Sequence, residues 1–224
     1  WYFFEQQLKY PITQVGTDYF KSVNMKKFDV LIVPEGYYRL FDEATLGQVG
    51  DWVSDGGRLI LIANALTSFA DQKGFALKKY ATEEAKKAAE DKEKEMKEKE
   101  GLVRFEEAER KSISGYMPGA IYKTTLDQSH PLAFGLGDSY YSLRENALRY
   151  GFMDNAWNVG VIKGKAKPVQ GFAGFKANKK LDNSLVFGVE DKGRGNVVYF
   201  VDNPLFRCFW ENGKMVFANA VFLV

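Results

Sequence analysis

The chain holds one cysteine and one histidine in 224 residues, and each shortage removes a class of chemistry. With Cys208 alone, no internal disulfide can form and a cysteine-rich zinc knuckle is excluded. With His130 alone, any Ser-His-Asp or Cys-His site must recruit that residue as its base, and the His-Glu-x-x-His zinc pattern does not occur. Long apolar runs are missing too: Val30 to Val33 and Leu59 to Ala63 fall far short of the roughly 20 residues that span a bilayer. No basic stretch followed by an apolar one opens the chain, so the segment shows no export signal. Charge of one sign is also lacking. Lys plus Arg number 31 against 29 Asp plus Glu, and a net charge of +2 gives no electrostatic case for nucleic acid or an anionic membrane.

What is present is a core. An apolar content of 46% is ordinary for a chain that buries one. Trp1, Phe4 and Leu8 recur at helical spacing, so the chain opens in or just before an amphipathic helix. That abrupt start, at Trp1 and not at Met, raises the expectation of a domain cut from a larger protein. Ile12 to Val15 reads as a short strand, and Phe28 to Val33 as a buried one ended by Pro34-Glu35-Gly36. Asp42 is placed to cap a helix whose Leu46, Val49 and Val53 share a face, with Gly56-Gly57 as its left-handed stop. Arg58 to Ala63 is the next buried strand. This succession predicts an α/β fold, a mostly parallel sheet with helices on both faces, whose ligands sit at the carboxyl ends of the strands.

The chain reads as a single domain over 1–224 with a charged helical insertion at 81–111. Within it Glu83 and Lys87, Glu90 and Lys94, Glu93 and Lys97, and Glu95 and Lys99 pair at i,i+4, which describes a solvated helix without an apolar stripe. Beyond it come the β-rich segments Ala120 to Leu126, Val159 to Lys163, Leu185 to Glu190 and Asn196 to Val201. The last two, joined by Lys192-Gly193-Arg194-Gly195, predict a late β-hairpin. Lys214 to Val224 reads as a closing helix with Met215, Ala218 and Phe222 on one face.

Candidate chemistry is sparse. His130 lies in His130-Pro131-Leu132-Ala133-Phe134-Gly135, a turn that packs Leu132 and Phe134 inward, and reads as a structural histidine. Cys208 sits among bulky aromatics without the glycines of a nucleophile elbow and reads as a buried thiol, with a reactive thiol beside Arg207 as the alternative. Gly135-Leu136-Gly137-Asp138-Ser139-Tyr140 reads as a loop and not a phosphate cradle. Glu35, Arg39, Asn64, Asp202, Asn203 and Arg207 stand at or just after predicted strand ends. They are the candidate ligand-binding residues, the plainer reading being that they cap turns. No catalytic residue, metal site or cofactor is assigned within the chain.

The stretch Asp29-Val30-Leu31-Ile32-Val33-Pro34-Glu35-Gly36, followed by a helix and then by Asp55-Gly56-Gly57-Arg58-Leu59-Ile60-Leu61-Ile62, resembles the class I glutamine amidotransferase-like fold, a flavodoxin-like sheet. In that superfamily the strand after the Gly-Gly turn ends in an elbow carrying the catalytic cysteine, where this chain has Ala63-Asn64-Ala65. The counterpart of the family's catalytic histidine falls at Asn203 in Asp202-Asn203-Pro204-Leu205. The resemblance therefore implies the fold without the activity.

Further stretches are similar to the region that follows the peptidase domain in large bacterial zinc carboxypeptidases of the carboxypeptidase A class. They are Trp1 to Gln7 with Tyr10-Pro11, Ser112 to Ile121, His130 to Gly135, and Asp202 to Arg207 with Phe209 to Lys214. That resemblance implies that the zinc, its ligands and the catalytic glutamate lie in an upstream peptidase domain of the same chain, and that the parent is an exported bacterial protein. The function it implies is a non-catalytic accessory domain that positions the peptidase or its substrate. Two other readings stand beside it. One is a module binding carbohydrate, peptidoglycan or peptide through its aromatics, which make up 15% of the chain. The other is a divergent hydrolase using Cys208 with His130 or a carboxylate pair.

Overall fold

Alternation of apolar residues onto two sides of a sheet organises the structure. The computed structural model describes residues 1–80 and 105–224. In chain order the elements are β1 (Val30–Val33), α1 (Glu43–Ser54), β2 (Arg58–Ile62), α2 (Phe105–Gly115), β3 (Gly119–Leu126), β4 (Ser139–Arg144), β5 (Trp157–Ile162), β6 (Pro168–Phe172), α3 (Phe175–Lys179), β7 (Ser184–Lys192), β8 (Gly195–Phe200) and α4 (Glu211–Phe222). The strands form one eight-stranded sheet in the order β1-β2-β8-β7-β5-β3-β4, with β6 paired to β3. Most of the charged segment read at 81–111 lies outside the described residues, and its end runs into α2.

Because successive side chains of a strand face opposite ways, β2 sends Leu59 and Leu61 to one core and Ile60 and Ile62 to the other. The first core is closed by α1 through Leu46, Val49, Trp52 and Val53. Val49 and Val53 are fully buried, each stabilising the fold by roughly 1.5–3 kcal/mol. Asp42 caps this helix, its Oδ1 accepting from the Thr45 amide at 2.9 Å. The second core is closed by α4 through Val216, Phe217 and Ala220. Helices thus cover both faces.

The sheet is not mostly parallel. β1, β2 and β8 run parallel, and every other pairing is antiparallel. The uninterrupted apolar runs that pointed to parallel strands report burial on both faces, and antiparallel β7, buried from Ser184 to Glu190, has that property too. The late hairpin is present. Lys192 pairs with Gly195 around Gly193, whose φ of 63° suits the tight turn.

Other expectations change at the termini. Tyr2–Leu8 is a short π-helical turn that buries Phe3 and Phe4 and leaves Trp1 and Leu8 exposed. Phe3 and Phe4 meet Phe217 edge-on at 5.7 and 5.8 Å, so packing against α4 chooses the buried pair over helical periodicity. Ile12 to Val15 forms no strand. The closing helix is present, but Met215 and Phe222 are exposed and its buried face is one step round. The loop read at Gly135 to Tyr140 gives way to β4 from Ser139 onward. No helix among the described residues is long and apolar enough to cross a membrane.

Candidate functional site

Three parallel strands end side by side, and their exits supply the site. β1 leads into Pro34 and Glu35, β2 into Ala63, and β8 into Val201, Asp202 and Asn203. The fourth wall comes from the far edge of the sheet. Its curl returns the end of β4, with Leu143, Arg144, Glu145 and Asn146, to the same pocket. The pocket is small, about 10 Å³, with room for one water-sized group.

Ala63 holds the turn at the end of β2. Its φ of 50° lies in the left-handed region that a residue with a Cβ enters only at a cost, and a 3-10 turn over Ala63–Ser68 begins there. This is the strand-to-helix elbow geometry that exposes a nucleophile in hydrolases, with a methyl group in the nucleophile's place. Asn64 follows it half-buried, its carbonyl accepting from the Thr67 hydroxyl at 2.7 Å, and it does not line the pocket.

Asn203 and Glu35 meet. The Asn203 side-chain amide donates to Glu35 Oε2 at 3.2 Å, and Asn203 Oδ1 accepts from the Leu205 amide at 3.0 Å. Arg39 and Arg207 are exposed on flanking loops and do not line the pocket. Of the residues singled out from the sequence, the structure thus gathers Glu35, Asp202 and Asn203 and leaves Arg39, Asn64 and Arg207 outside.

Beneath them lie two buried ionisable groups. Arg144 is 2% exposed and Asp202 4% exposed. Burial lowers the Arg144 pKa, while Asp202 and the hydroxyls of Tyr122, Tyr150 and Tyr140 act in the other direction. Arg144 Nη2 donates to the Leu148 carbonyl. Burial raises the Asp202 pKa, opposed by the Arg144 charge, by the Ser142 hydroxyl and by the Asp202 backbone amide, the last two lying close enough to favour the anion without meeting full hydrogen-bond geometry. Both Asp202 carboxylate oxygens are without a hydrogen-bond partner, as are the buried hydroxyls of Ser142, Thr124 and Tyr150. Burial also pushes Tyr122 and Tyr150 up to about 12 and Tyr140 well above its ordinary value. A buried carboxylate with two free acceptors is costly unless something donates to it.

Arg144 was not a candidate from the sequence. The signal available was the alternation Tyr140, Ser142, Arg144 along β4, which places all three on the buried side, but two of the three are polar and hide the pattern.

The possible nucleophile and base do not assemble. His130 Nδ1 accepts from the Leu132 amide at 3.1 Å, capping the turn Pro131–Ala133, and its ring lies 6.0 Å from that of Trp157 at the start of β5. Strand register puts that end of β5 near the middle and beginning of β8, away from the pocket beyond its end. Burial lowers the His130 pKa against the pull of Asp127 and Asp191. Leu132 is buried as anticipated, whereas Phe134 is 68% exposed. Cys208 is half-buried in the loop after β8, its carbonyl accepting from Gln7 Nε2 at 3.2 Å, and no hydrogen bond joins it to His130 among the described residues. No group of three metal-ligating side chains occurs among the described residues.

An aromatic ledge continues the loop that carries Asp202 and Asn203. The Phe206 amide donates to the Asn203 carbonyl at 3.2 Å, and the Phe206 and Phe209 rings meet edge-on at 5.8 Å. Trp210 Nε1 donates to the Tyr141 carbonyl at 2.8 Å, tying the loop to β4. Phe209 and Tyr141 are exposed.

No protein-family model matches the chain, and no curated protein does. Solved structures share its fold. The cytoplasmic protein STM3548 from Salmonella typhimurium superposes with a TM-score of 0.50 at 10% identity, over 95% of this chain and 76% of that one. A putative ThuA-like protein from Parabacteroides merdae gives 0.50 at 13% identity, over 89% and 71%. A second, from Bacteroides uniformis, gives 0.48 at 13%, over 96% and 79%. The first two of these neighbours are small proteins in their own right, which overturns the resemblance to the C-terminal region of zinc carboxypeptidases. The upstream peptidase domain, its zinc and the exported parent were implications of that resemblance alone.

Proposed function

We propose that the chain is a non-catalytic binding domain on a flavodoxin-like, class I glutamine amidotransferase-like frame, and that its ligand is a carbohydrate. The parallel trio β1, β2 and β8, the elbow at Ala63 and the helices on both faces support the frame. The observation that carries the function is the convergence of Glu35, Asp202 and Asn203 beside Ala63. Hydrogen-bonding groups gather where this architecture places its chemistry, and the elbow holds no nucleophile. Carboxylate and amide oxygens accept from sugar hydroxyls, and the exposed faces of Phe209 and Tyr141 suit the apolar face of a pyranose ring.

The test is an NMR titration of the whole chain with glucose, N-acetylglucosamine, a peptidoglycan fragment and an unrelated tripeptide. Saturable shifts at Glu35, Asn203 and Phe209 with a sugar, absent with the tripeptide, are the expected result. Hydrolysis of an amide, peptide or glycoside by the chain, abolished by Asp202→Asn, would overturn the non-catalytic reading.

A further inference from the structure

Over the whole chain the charges nearly cancel, but along the fold they do not. Lys163, Lys165, Lys167, Lys176, Lys179 and Lys180 fall between residues 155 and 181, a stretch without Asp or Glu. All are exposed, and the ion pairs among the described residues, Lys21 with Asp42 and Lys214 with Glu211, involve none of them. Hydrogen bonds bring the two ends of the stretch together. The Asn183 amide donates to the Gly164 carbonyl at 3.0 Å, and Asn178 Nδ2 donates to the Ala166 carbonyl at 2.9 Å. Such a concentration of one sign attracts a polyanion.

An open sheet face adjoins these lysines. On β3, Ala120, Tyr122 and Thr124 are buried, which turns Ile121, Lys123 and Thr125 the other way. Register sets Lys123 beside Tyr141 of β4, Ile121 between Leu143 of β4 and Gln170 of β6, and Gly119 beside Phe172 of β6. Residues paired across strands share a face. α1 closes that side of the sheet across β2 and β8, whereas here Tyr141 is 40% and Phe172 46% exposed, and Lys123 and Thr125 are exposed with them. Two accessible rings thus stand on one face with Lys123 beside the first, about 16 Å apart by four residues of rise and two strand spacings. Beyond Thr125 the face deepens into a groove of about 300 Å³ bordered by Phe152, Val161, Asp127 and Lys163. Asp127 is the acid there, and its Oδ1 is already engaged by the amide and hydroxyl of Ser129.

We infer that this face binds single-stranded nucleic acid. Tyr141 and Phe172 form a stacking platform of a size that takes about two or three bases. Lys123 and the neighbouring lysines neutralise phosphates, and the groove beside Phe152 takes a base turned out of the chain. A duplex, whose bases are stacked on one another, leaves both rings without a partner. An anionic membrane would use the lysines, but it takes apolar side chains gathered on one surface, and these rings lie among Lys, Thr and Gln. The site is separate from the strand exits and does not depend on the carbohydrate reading.

The experiment is fluorescence anisotropy of the whole chain with labelled oligouridylate and oligothymidylate of about 12 nucleotides, within the range of single-strand site sizes, and with a duplex of equal length. Vesicles of phosphatidylcholine with and without phosphatidylserine are tested beside them by sedimentation. The single strands are expected to bind, and the duplex to bind at least about 10-fold more weakly. Phe172→Ala and Tyr141→Ala should each weaken the single strand about 5-fold or more without changing its salt dependence, and Tyr141→Phe, which keeps the ring, should bind as the parent does. Lys163→Gln and Lys165→Gln should each reduce the slope of log affinity against log salt by about 0.7, one phosphate contact. These lysines are exposed, so they read the phosphates even where a ring variant fails to fold. Equal binding of duplex and single strand, or ring variants that bind as the parent does, would leave charge alone at work and overturn the stacking face. Sedimentation with phosphatidylserine vesicles and no oligonucleotide binding would assign the lysines to a membrane surface and overturn the proposal, as would binding to none of these probes.

Discussion

Asn203 donates its side-chain amide to Glu35 at 3.2 Å, and in doing so spans the end of β2 to join the exits of β8 and β1, 168 residues apart in the chain. The same side chain accepts from the Leu205 amide, so one residue fixes both the mouth of the pocket and the start of the aromatic loop. Asn203→Ala is expected to cost about 1 kcal/mol, one net hydrogen bond, in urea unfolding, and to weaken ligand binding by more than the stability change accounts for. Asn203→Asp sets a second carboxylate against Glu35 and should weaken the fold further, by a like-charge repulsion that added salt relieves. Variants as stable as the parent would show that the bridge carries nothing.

Ala63 carries a left-handed backbone that costs roughly 1–2 kcal/mol in a residue with a Cβ. Ala63→Gly relieves it at an entropic cost of about 0.5–1 kcal/mol, so thermal unfolding should find the variant as stable as the parent or slightly more so. Ala63→Val, β-branched and buried, should lose about 2 kcal/mol or more. Ala63→Cys places a thiol on the elbow and is expected to show no amide hydrolysis, since the chain's one histidine caps a turn elsewhere. Turnover by Ala63→Cys would mean that a base is present which the geometry does not reveal.

Much of the frame could be read in advance because local rules decide it. Asp42 before Leu46, Val49 and Val53 specifies a capped amphipathic helix, and Gly193 between two apolar runs specifies a hairpin; both formed. Glu35 and Asn203 were accessible because strand ends place sites in α/β folds. The direction of β7 was not accessible, since a strand buried on both faces looks the same whichever way its neighbours run. β6 is exposed along its whole length and carries no alternation at all. Arg144 was hidden for a different reason. It reaches the pocket through the curl of the sheet, a long-range property, and a polar residue on the core side of β4 breaks the very pattern that would have located the strand.

Gly213 lets α4 dock against the loop that carries the site. A Cβ there would overlap the Pro204 carbonyl oxygen, a backbone atom that has no rotamer to give way. Gly213→Ala should destabilise the chain by about 2–3 kcal/mol in denaturant unfolding. Because Pro204 follows Asn203 directly, the same variant should also shift the NMR resonances of Asn203 and Phe206 while leaving those of α1 in place. A change confined to α4 would separate the helix from the site.

Asp202 makes stability depend on pH in a direction opposite to that of most native carboxylates. Burial raises its pKa above the unfolded value of about 3.9, so between the unfolded and folded values the native chain holds a proton that the unfolded chain has released. The resulting contribution is fully present below the unfolded pKa and is lost as pH rises through the folded one. Asp42 behaves the other way, because the Lys21 hydrogen bond and the Thr45 cap lower its pKa, and its contribution is lost as pH falls. Asp202→Asn abolishes only the first term and leaves Asp42 common to both proteins. The stability of the parent relative to Asp202→Asn should therefore be greatest near about pH 3 and decline toward about pH 8 in urea titrations. A difference that stayed flat would place the Asp202 pKa at its unfolded value. One that grew with pH would mean that the Arg144 charge outweighs burial and holds Asp202 as an anion in the folded chain.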